Sequence, residues 1–429
     1  MLWRAPGRRF RVLAIRDFRL LLADRLLAPA AVGLSLVGVS FAVLNSTGSS
    51  ADLSYVLTAQ IAPTLVFVLV GGVAADRFPP QRVIIVANLA IAAGEGIFGL
   101  LVLTGKPPVW SMILLEALTG TGAALFYPAS QALLPQLVPG ALMQQASSIS
   151  RLVMNSGQMM GAALGGVLVA AAGPGWALTL CGAAMIGTIP LMLAIRGNRA
   201  PARAGNGPGM LTELREGWTE FRSHTWLWAI VVQFCVVVMA WWAGFEVLGP
   251  VFARAHLGGP AAWGAITACD ALGLIAGGLI SLRFTPRRPM LFVVLTGGAM
   301  AISPLALALV LPLAVICVVA FALGVLLEVM MVQWTVAMAT RIPPGKLARV
   351  SSYDALGSMA AMPIGALAAG PLAAAIGVSA AQFAAAAVIV TASALTLVPR
   401  DIRTIRSDSI APADPDDVPL SELVPAVPA

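Results

Sequence analysis

The stretch GGVAADRFPPQR, Gly71 to Arg82, sets an aspartate, two arginines and two prolines between two long and almost charge-free segments. Residues 54–75 before it and 83–104 after it are each apolar over a length that lets a helix cross a ~30 Å hydrocarbon core, for which about 20 residues suffice. Charge confined to so short a turn between two such helices marks a return at the water face of a membrane.

The pattern repeats along the chain. Of the 429 residues, 59% are hydrophobic and 10% charged, where an ordinary soluble domain carries about 25% charged residues. Apolar runs at 20–44, 54–75, 83–104, 109–134, 147–172, 175–195, 226–249, 261–282, 290–311, 313–339, 353–377 and 379–398 predict twelve crossings, six before a polar gap and six after it. Only Leu311-Pro312 offers a turn between the ninth and tenth. The fold class is therefore an all-α integral membrane protein.

Arg4, Arg8, Arg9, Arg11, Arg16 and Arg19 precede the first apolar run as in a signal peptide, but that run is too long for one and a second hydrophobic helix follows almost at once. With both termini cytoplasmic, all of the 26 Lys and Arg residues except Lys106 and Arg254 fall on the inner side. Cytoplasmic loops retain Lys and Arg during insertion, so this asymmetry predicts a multi-pass protein of the cell (inner or plasma) membrane in that orientation. It also accounts for the net charge of +7 without nucleic acid. Cys181, Cys235, Cys269 and Cys317 all lie inside predicted helices at no metal-ligand spacing and read as small apolar fillers.

Four regions follow: residues 1–196, an amino-terminal six-helix half; 197–225, a cytoplasmic linker; 226–400, a carboxy-terminal six-helix half; and 401–429, a Pro- and Asp-rich tail expected to be disordered. The linker opens with the flexible GNRAPARAGNGPG. It continues as LTELREGWTEFR, where Leu211, Leu214, Trp218 and Phe221 recur at helical spacing and predict a short amphipathic helix on the membrane surface.

An internal repeat relates the halves. Gly71, Gly72, Arg77, Phe78, Pro80 and Arg82 match Gly277, Gly278, Arg283, Phe284, Pro286 and Arg288, each set joining the second and third helices of its half. VPGALMQQASS before helix five resembles PPGKLARVSS before helix eleven, and Gly161, Gly166 and Gly173 then fall over Gly365, Gly370 and Gly377. Two parallel six-helix repeats are the layout of a carrier whose substrate site lies between them at mid-membrane.

On this topology GGVAADRFPPQR resembles the signature between helices two and three of the major facilitator superfamily, with Gly72, Asp76, Arg77 and Arg82 at its positions. The resemblance covers about residues 16–400. It is closest to the bacterial drug and siderophore exporter branch in FRLLLADRLL, FAVLNSTGSSADL, FYPASQALLPQLVP and RVSSYDALGSMAAMPIGALAAGPLA. Pro79 and Pro80 replace the usual glycine and arginine, and Gly161-Ala162 stands where helix five usually has glycine-proline. The family pattern implies that Asp76 docks on the start of helix eleven, Ser351-Ser352-Tyr353-Asp354, where unpaired backbone N–H groups favour negative charge. Arg77 would pair with a nearby carboxylate, Asp354 first. Gly72, Asp76, Arg77, Arg82, Ser351, Ser352 and Asp354 would then form a cytoplasmic latch that breaks when the halves rock. Without the resemblance, Asp76, Arg77 and Arg82 equally suit a solvated turn.

A carboxylate within a membrane helix costs ~2.5–3.5 kcal/mol on insertion scales and is a functional candidate by default. Glu95, Glu116, Glu246, Asp270 and Glu328 qualify. Glu328 and Glu116 rank high because helices one, four, seven and ten line the cavity of the family fold, and Asp270 by depth. Desolvation favours the neutral form of a carboxyl, so each could couple transport to protons; a structural hydrogen bond is the alternative for each. No base lies within one helical turn of Glu328, and Asp24 and Asp354 sit near the cytoplasmic face, where snorkelling or capping explains them. No Arg or Lys falls at mid-membrane depth, which argues against phosphorylated or strongly acidic solutes. Acids together with Phe126, Tyr127, Trp241, Trp242, Phe245 and Trp334 suit an amphipathic, neutral or cationic small molecule, although aromatic residues near helix ends also anchor proteins at interfaces.

His224 and His256 lie in loop regions near opposite faces, and neither a nucleophile-base pairing nor a phosphate-binding glycine loop is present. The expectation is a non-enzymatic, cofactor-free, monomeric secondary transporter in the lipid bilayer, exporting by alternating access and coupled to protons by antiport. A siderophore exporter, a small-nutrient importer and a non-transporting membrane sensor remain as alternatives.

The repeat yields a test. The second copy has Leu282 where the first has Asp76, so Leu282→Asn should leave cellular efflux near normal while Asp76→Asn cuts it sharply at equal membrane abundance. Equal losses would show the two turns to be equivalent.

Overall fold

The computed structural model describes residues 11–405 except 106, 140–141, 196–217, 282–283, 285, 343–349, 352, 355–356 and 359, and it leaves out the side chains of 11, 64–77, 127–128, 131–132, 144, 148, 339 and 400. The helices of the amino-terminal half are α1 (Arg16–Thr47), α2 (Ser50–Arg77), α3 (Pro80–Thr104), α4 (Val109–Leu137), α5 (Met143–Ala172) and α6 (Pro174–Ala194). Those that follow the gap are α7 (Thr225–His256), α8 (Pro260–Ser281), α9 (Pro289–Ala308), α10 (Leu313–Arg341), α11 (Met362–Ile376) and α12 (Val378–Thr396). Among the described residues ten helices are long and apolar enough to cross a membrane, α11 is a shorter apolar one, and α2 has 28 residues.

The sequence reading finds these helices but trims their ends. α7 runs to His256 rather than to 249, because hydropathy marks the part inside hydrocarbon and the helix continues beyond it past Arg254. Three apolar runs read as continuous are irregular, each beside a proline, which cannot donate to the carbonyl four residues back. α7 passes through a π-helical turn at Trp242–Val247, just before Pro250. α9 breaks between Ala299 and Ile302, ahead of Pro304, and the Ser303 hydroxyl donates to the Met300 carbonyl at 3.0 Å. The run leading into α11 turns at 360–361, ahead of Pro363. The turn expected at Leu311-Pro312 is present, and Val310 takes a φ of 52°, which a β-branched residue rarely adopts.

Lipid tails are as apolar as leucine, so helices in a bilayer associate by close fit, and small residues permit the closest approach. Within the first half α1 packs on α5 and α6, α2 on α4, and α3 on α4 and α6; within the second, α8 packs on α10, α7 on α12, and α9 on α10 and α12. A Cβ on Gly161 of α5 would lie 2.8 Å from Ala30 Cα of α1, closer than real Cβ atoms come. Residues 218–223 are helical, while Leu211 and Leu214 of the expected surface helix lie outside the described residues; Trp218 is exposed, Phe221 is buried and stacks with it, and both rings meet Tyr353.

The halves join along two seams, α5 with α8 and α2 with α11. Gly166 and Gly264 approach so closely that a Cβ on Gly264 would lie 2.7 Å from Gly166 Cα. The Gly370 N–H donates to Ser54 Oγ at 2.6 Å, and Arg254 donates to the Leu44 carbonyl. All these contacts lie toward the end of the bundle away from the chain termini. Two apolar clusters at that end draw on both halves, one including Val43, Leu53, Val247 and Ala369, the other Phe41, Val169, Phe252 and Trp263. At the terminal end each half keeps its own cluster, Val12, Phe18, Leu133 and Ile195 in one, Trp226, Met290, Met338 and Ile402 in the other.

Close fit makes a prediction. Gly161→Ala should lower the thermal stability of the detergent-purified protein by on the order of 1–3 kcal/mol, the usual cost of overpacking. Gly187→Ala, whose Cβ would meet its nearest neighbour, Leu27, at 3.7 Å, should be neutral. Equal melting temperatures for the two variants would refute the packing account.

Candidate functional site

The stretch Gly71 to Arg82 is the hairpin between α2 and α3. α2 ends at Arg77, and α3 starts at Pro80, where the missing N–H is harmless because the first turn of a helix leaves its donors free. Gly72 lies in α2, Arg82 is exposed and Ser351 is half-buried; Ser352 and the side chains of Asp76 and Arg77 lie outside the described residues. Asp354, the expected partner of Arg77, is engaged within its own half. Its Oδ2 accepts from Trp334 Nε1 at 2.9 Å, and its Oδ1 from Ser358 Oγ at 3.4 Å. Trp334 in turn packs edge-on against Trp226 at 5.7 Å.

The membrane acids separate into three arrangements. Glu328 of α10 faces α8, with its Cβ 3.0 Å from where a side chain on Gly277 would begin. Its carboxylate lies 3.7 Å from the guanidinium of Arg151 on α5, an ion pair that crosses from one half to the other. The sequence reading finds no base within one helical turn of Glu328, and the base comes instead from the other half. Arginine heads reach well beyond the depth of their own Cα, so depth along the sequence understates where Arg151 acts. Glu246, in the π-helical turn of α7, lies within electrostatic reach of Asp270 on α8.

Glu95 of α3 and Glu116 of α4 lie within electrostatic reach of each other inside the first half. Gly94 of α3 touches α4, a Cβ there falling 2.8 Å from the Leu115 carbonyl, and the next residue on each helix is the acid. Ser35 of α1 donates to Glu95 Oε1. Glu95 Oε2, both oxygens of Glu116 and the Thr119 hydroxyl are buried without a hydrogen-bonding partner among the described residues. Asp24, expected to snorkel or cap, is instead fully buried on α1, and neither of its oxygens has a hydrogen-bonding partner among the described residues. Its neighbour Arg25 donates to the Ser130 carbonyl at 3.0 Å.

The aromatic candidates are not gathered on one wall. Trp241 donates to Ser303 Oγ at 2.9 Å and stacks on Phe245 at 5.2 Å, and Phe245 meets Trp263 at 5.1 Å within the cluster that joins the halves. Trp242 packs against the other joining cluster, Phe126 packs within the first half, Trp334 stands by Asp354, and the Tyr127 side chain lies outside the described residues. Sequence reasoning missed Arg151, Ser35 and Trp263. Each does its work across a helix contact, which no linear spacing announces.

Comparison with known proteins places this arrangement. The family model for the Major Facilitator Superfamily matches residues 26–353. The enterobactin exporter EntS of Citrobacter koseri is 28% identical over 413 residues, 94% of this chain and 96% of the relative. The multidrug efflux pump Tap of Mycobacterium tuberculosis is 27% identical over 418 residues, 94% and 97% of the two chains. Two solved structures share the fold. A bacterial homolog of the human lysosomal transporter Spinster superposes with a TM-score of 0.63 at 17% identity, covering 92% of this chain and 97% of that one. The nucleoside transporter NupG superposes with a TM-score of 0.73 at 11% identity, covering 89% and 99%. Twelve helices in two pseudo-symmetric halves, joined at α5–α8 and α2–α11, and a family match over most of the length lead to one conclusion: this chain is a multi-pass membrane transporter of the major facilitator superfamily, and it has efflux proteins among its relatives.

Proposed function

We propose that this transporter exports small amphipathic, neutral or cationic compounds by alternating access, driven by proton antiport. The observation that carries the reading is the distribution of shared packing. Among the described residues the apolar clusters common to both halves lie toward the end away from the termini, and each half has a separate one at the terminal end. A bundle held at one end can rock about that seam and expose its middle first to one side and then to the other. The charge asymmetry supports a cytoplasmic terminal end, which makes this the state that takes up solute from the cell. Rocking to the other state would bring the α2–α3 hairpin to the start of the eleventh helix, where Asp76 latches and Asp354 exchanges Trp334 for Arg77.

Arg151 and Glu328 stand between the halves in this reading, with Arg151 largely exposed and Glu328 mostly covered. A cationic solute would compete with Arg151 for Glu328, and a neutral one would leave the pair closed. The relatives favour two solute classes: drugs, from the likeness to a multidrug efflux pump, and siderophores, from the likeness to an enterobactin exporter. A susceptibility and efflux panel of both classes in an exporter-deficient host, with and without a protonophore, tests the reading. Export of neither class, or export indifferent to the protonophore, would overturn it.

The ion pair gives a sharper expectation. Arg151→Gln and Glu328→Gln should each slow efflux of a lipophilic cation dye several-fold, and the double variant should lose no more than the worse single one, since groups acting as a pair are non-additive. Multiplying losses would show that the two act independently.

A further inference from the structure

We propose that the groove between α7 and α12 is a binding site for an anionic phospholipid, with an acyl chain lying in the groove and the headgroup meeting Arg403. The groove has a volume of about 530 Å³. Trp228 and Val232 of α7 form one wall, Ala387, Thr391 and Leu395 of α12 the other, and Pro399 stands at the terminal end. Val232 and Leu395 are more than half exposed, and α12 packs on α7, α9 and α11 of its own half, so the groove faces lipid. The methyl groups of Ala387 and Ala392 leave unfilled the space beside α7. Beneath it Gln233 ties the helices together, donating through Nε2 to Ser393 Oγ at 2.8 Å and to the Val294 carbonyl at 3.0 Å. The α12 wall from Ala387 to Thr396 rises about 14 Å, which is one leaflet of a ~30 Å hydrocarbon core. A single acyl chain entering from the terminal side matches that depth.

The charge at the mouth of the groove selects the headgroup. Directly past Pro399 the chain forms a short helix, α13 (Arg400–Thr404). Its Ile402 is wholly buried in the apolar cluster that holds Trp226 and Met290, which anchors α13 beside the terminal end of the groove. Arg403 is exposed and donates to the Val398 carbonyl at 3.2 Å, so its guanidinium is stationed next to the residue that precedes Pro399. α13 packs on α7 and on α9, and Arg222 ahead of α7 and Arg287 and Arg288 at the head of α9 are exposed at the same end. Against these bases stand Asp401, exposed on α13, and Glu220, which faces His224 at 3.2 Å. Bases at the water end of an apolar slot are the complement of an anionic headgroup carried on an acyl chain. A free anion gains nothing from the slot, and a neutral lipid gains nothing from the bases.

Every wall of the site belongs to the carboxy-terminal half. Rocking of one half against the other therefore leaves the groove intact, and the lipid moors that half to one leaflet in both facing states. The site stands apart from the solute and from the ion that drives transport.

Native mass spectrometry of the purified full-length protein tests the site, with phosphatidylglycerol and phosphatidylcholine of the same acyl chains supplied together. Wild type should retain phosphatidylglycerol preferentially. Arg403→Gln should lower that preference roughly fivefold, the effect of one basic residue at an anionic lipid surface, while Arg403→Lys, which keeps the charge, should preserve it. Ala387→Phe, at an exposed position in the groove, should weaken retention of phosphatidylglycerol several-fold with the lipid-free melting temperature unchanged. Equal retention of the two lipids by wild type, or a preference unchanged in Arg403→Gln, overturns the headgroup contact. Equal loss in the Gln and Lys variants would show that Arg403 only positions α13, and overturns it too. Retention by Ala387→Phe at the wild-type level overturns the groove. Displacement of the lipid by ethidium from wild type and not from Ala387→Phe would make the groove a solute site and refute the proposal.

Discussion

In hydrocarbon no hydrophobic force drives helix against helix, so everything in this protein depends on how closely its helices can approach. The chain spends 42 of its residues on glycine, and several of them stand where another backbone passes. Gly161 admits α1 to α5, and Gly166 and Gly264 admit α5 to α8. Among the described residues the apolar clusters that draw on both halves lie toward one end, and each half has its own cluster at the other. That difference makes each half a body and the boundary between them a seam, which is the mechanical requirement for a carrier that must be open on one side at a time.

The exceptions to regular helix stand beside prolines. At α9 the break before Pro304 is bridged by Ser303, which donates to the Met300 carbonyl and accepts from Trp241. At α7 the π-helical turn before Pro250 carries Trp242, Phe245 and Glu246 together. A π-turn shifts the register of the side chains on a helix, and such turns recur at functional positions. Here one short segment places Phe245 in the closing cluster and Glu246 within electrostatic reach of Asp270.

The charged groups show why burial and partner must be considered together. Glu328 has a guanidinium beside it, Asp354 has an indole and a hydroxyl, and Glu95 has the Ser35 hydroxyl, while neither oxygen of Glu116 has a partner among the described residues. A base beside a carboxylate favours its charged form, and neutral donors fix its position. These are different surroundings for residues of the same chemical type.

The sequence by itself determined the number of helices, their order, the pairing of two repeated halves and the family to which they belong. These follow from apolar length, from the positions of Gly, Pro and charge in short turns, and from the alignment of Gly71 to Arg82 with its second copy, all of them properties read along one strand of chain. It also named Glu95, Glu116, Glu246, Asp270 and Glu328 as unusual, because a charge in an apolar run is visible wherever it stands. Only the tertiary structure decided which acid meets which group: Arg151 with Glu328, Ser35 with Glu95, Trp334 with Asp354. The partners lie 177, 60 and 20 residues apart in the chain. Helix rotation and crossing bring them together, and those are set by the fit of small side chains against neighbouring backbones, a property of surfaces that no periodicity along a single helix contains.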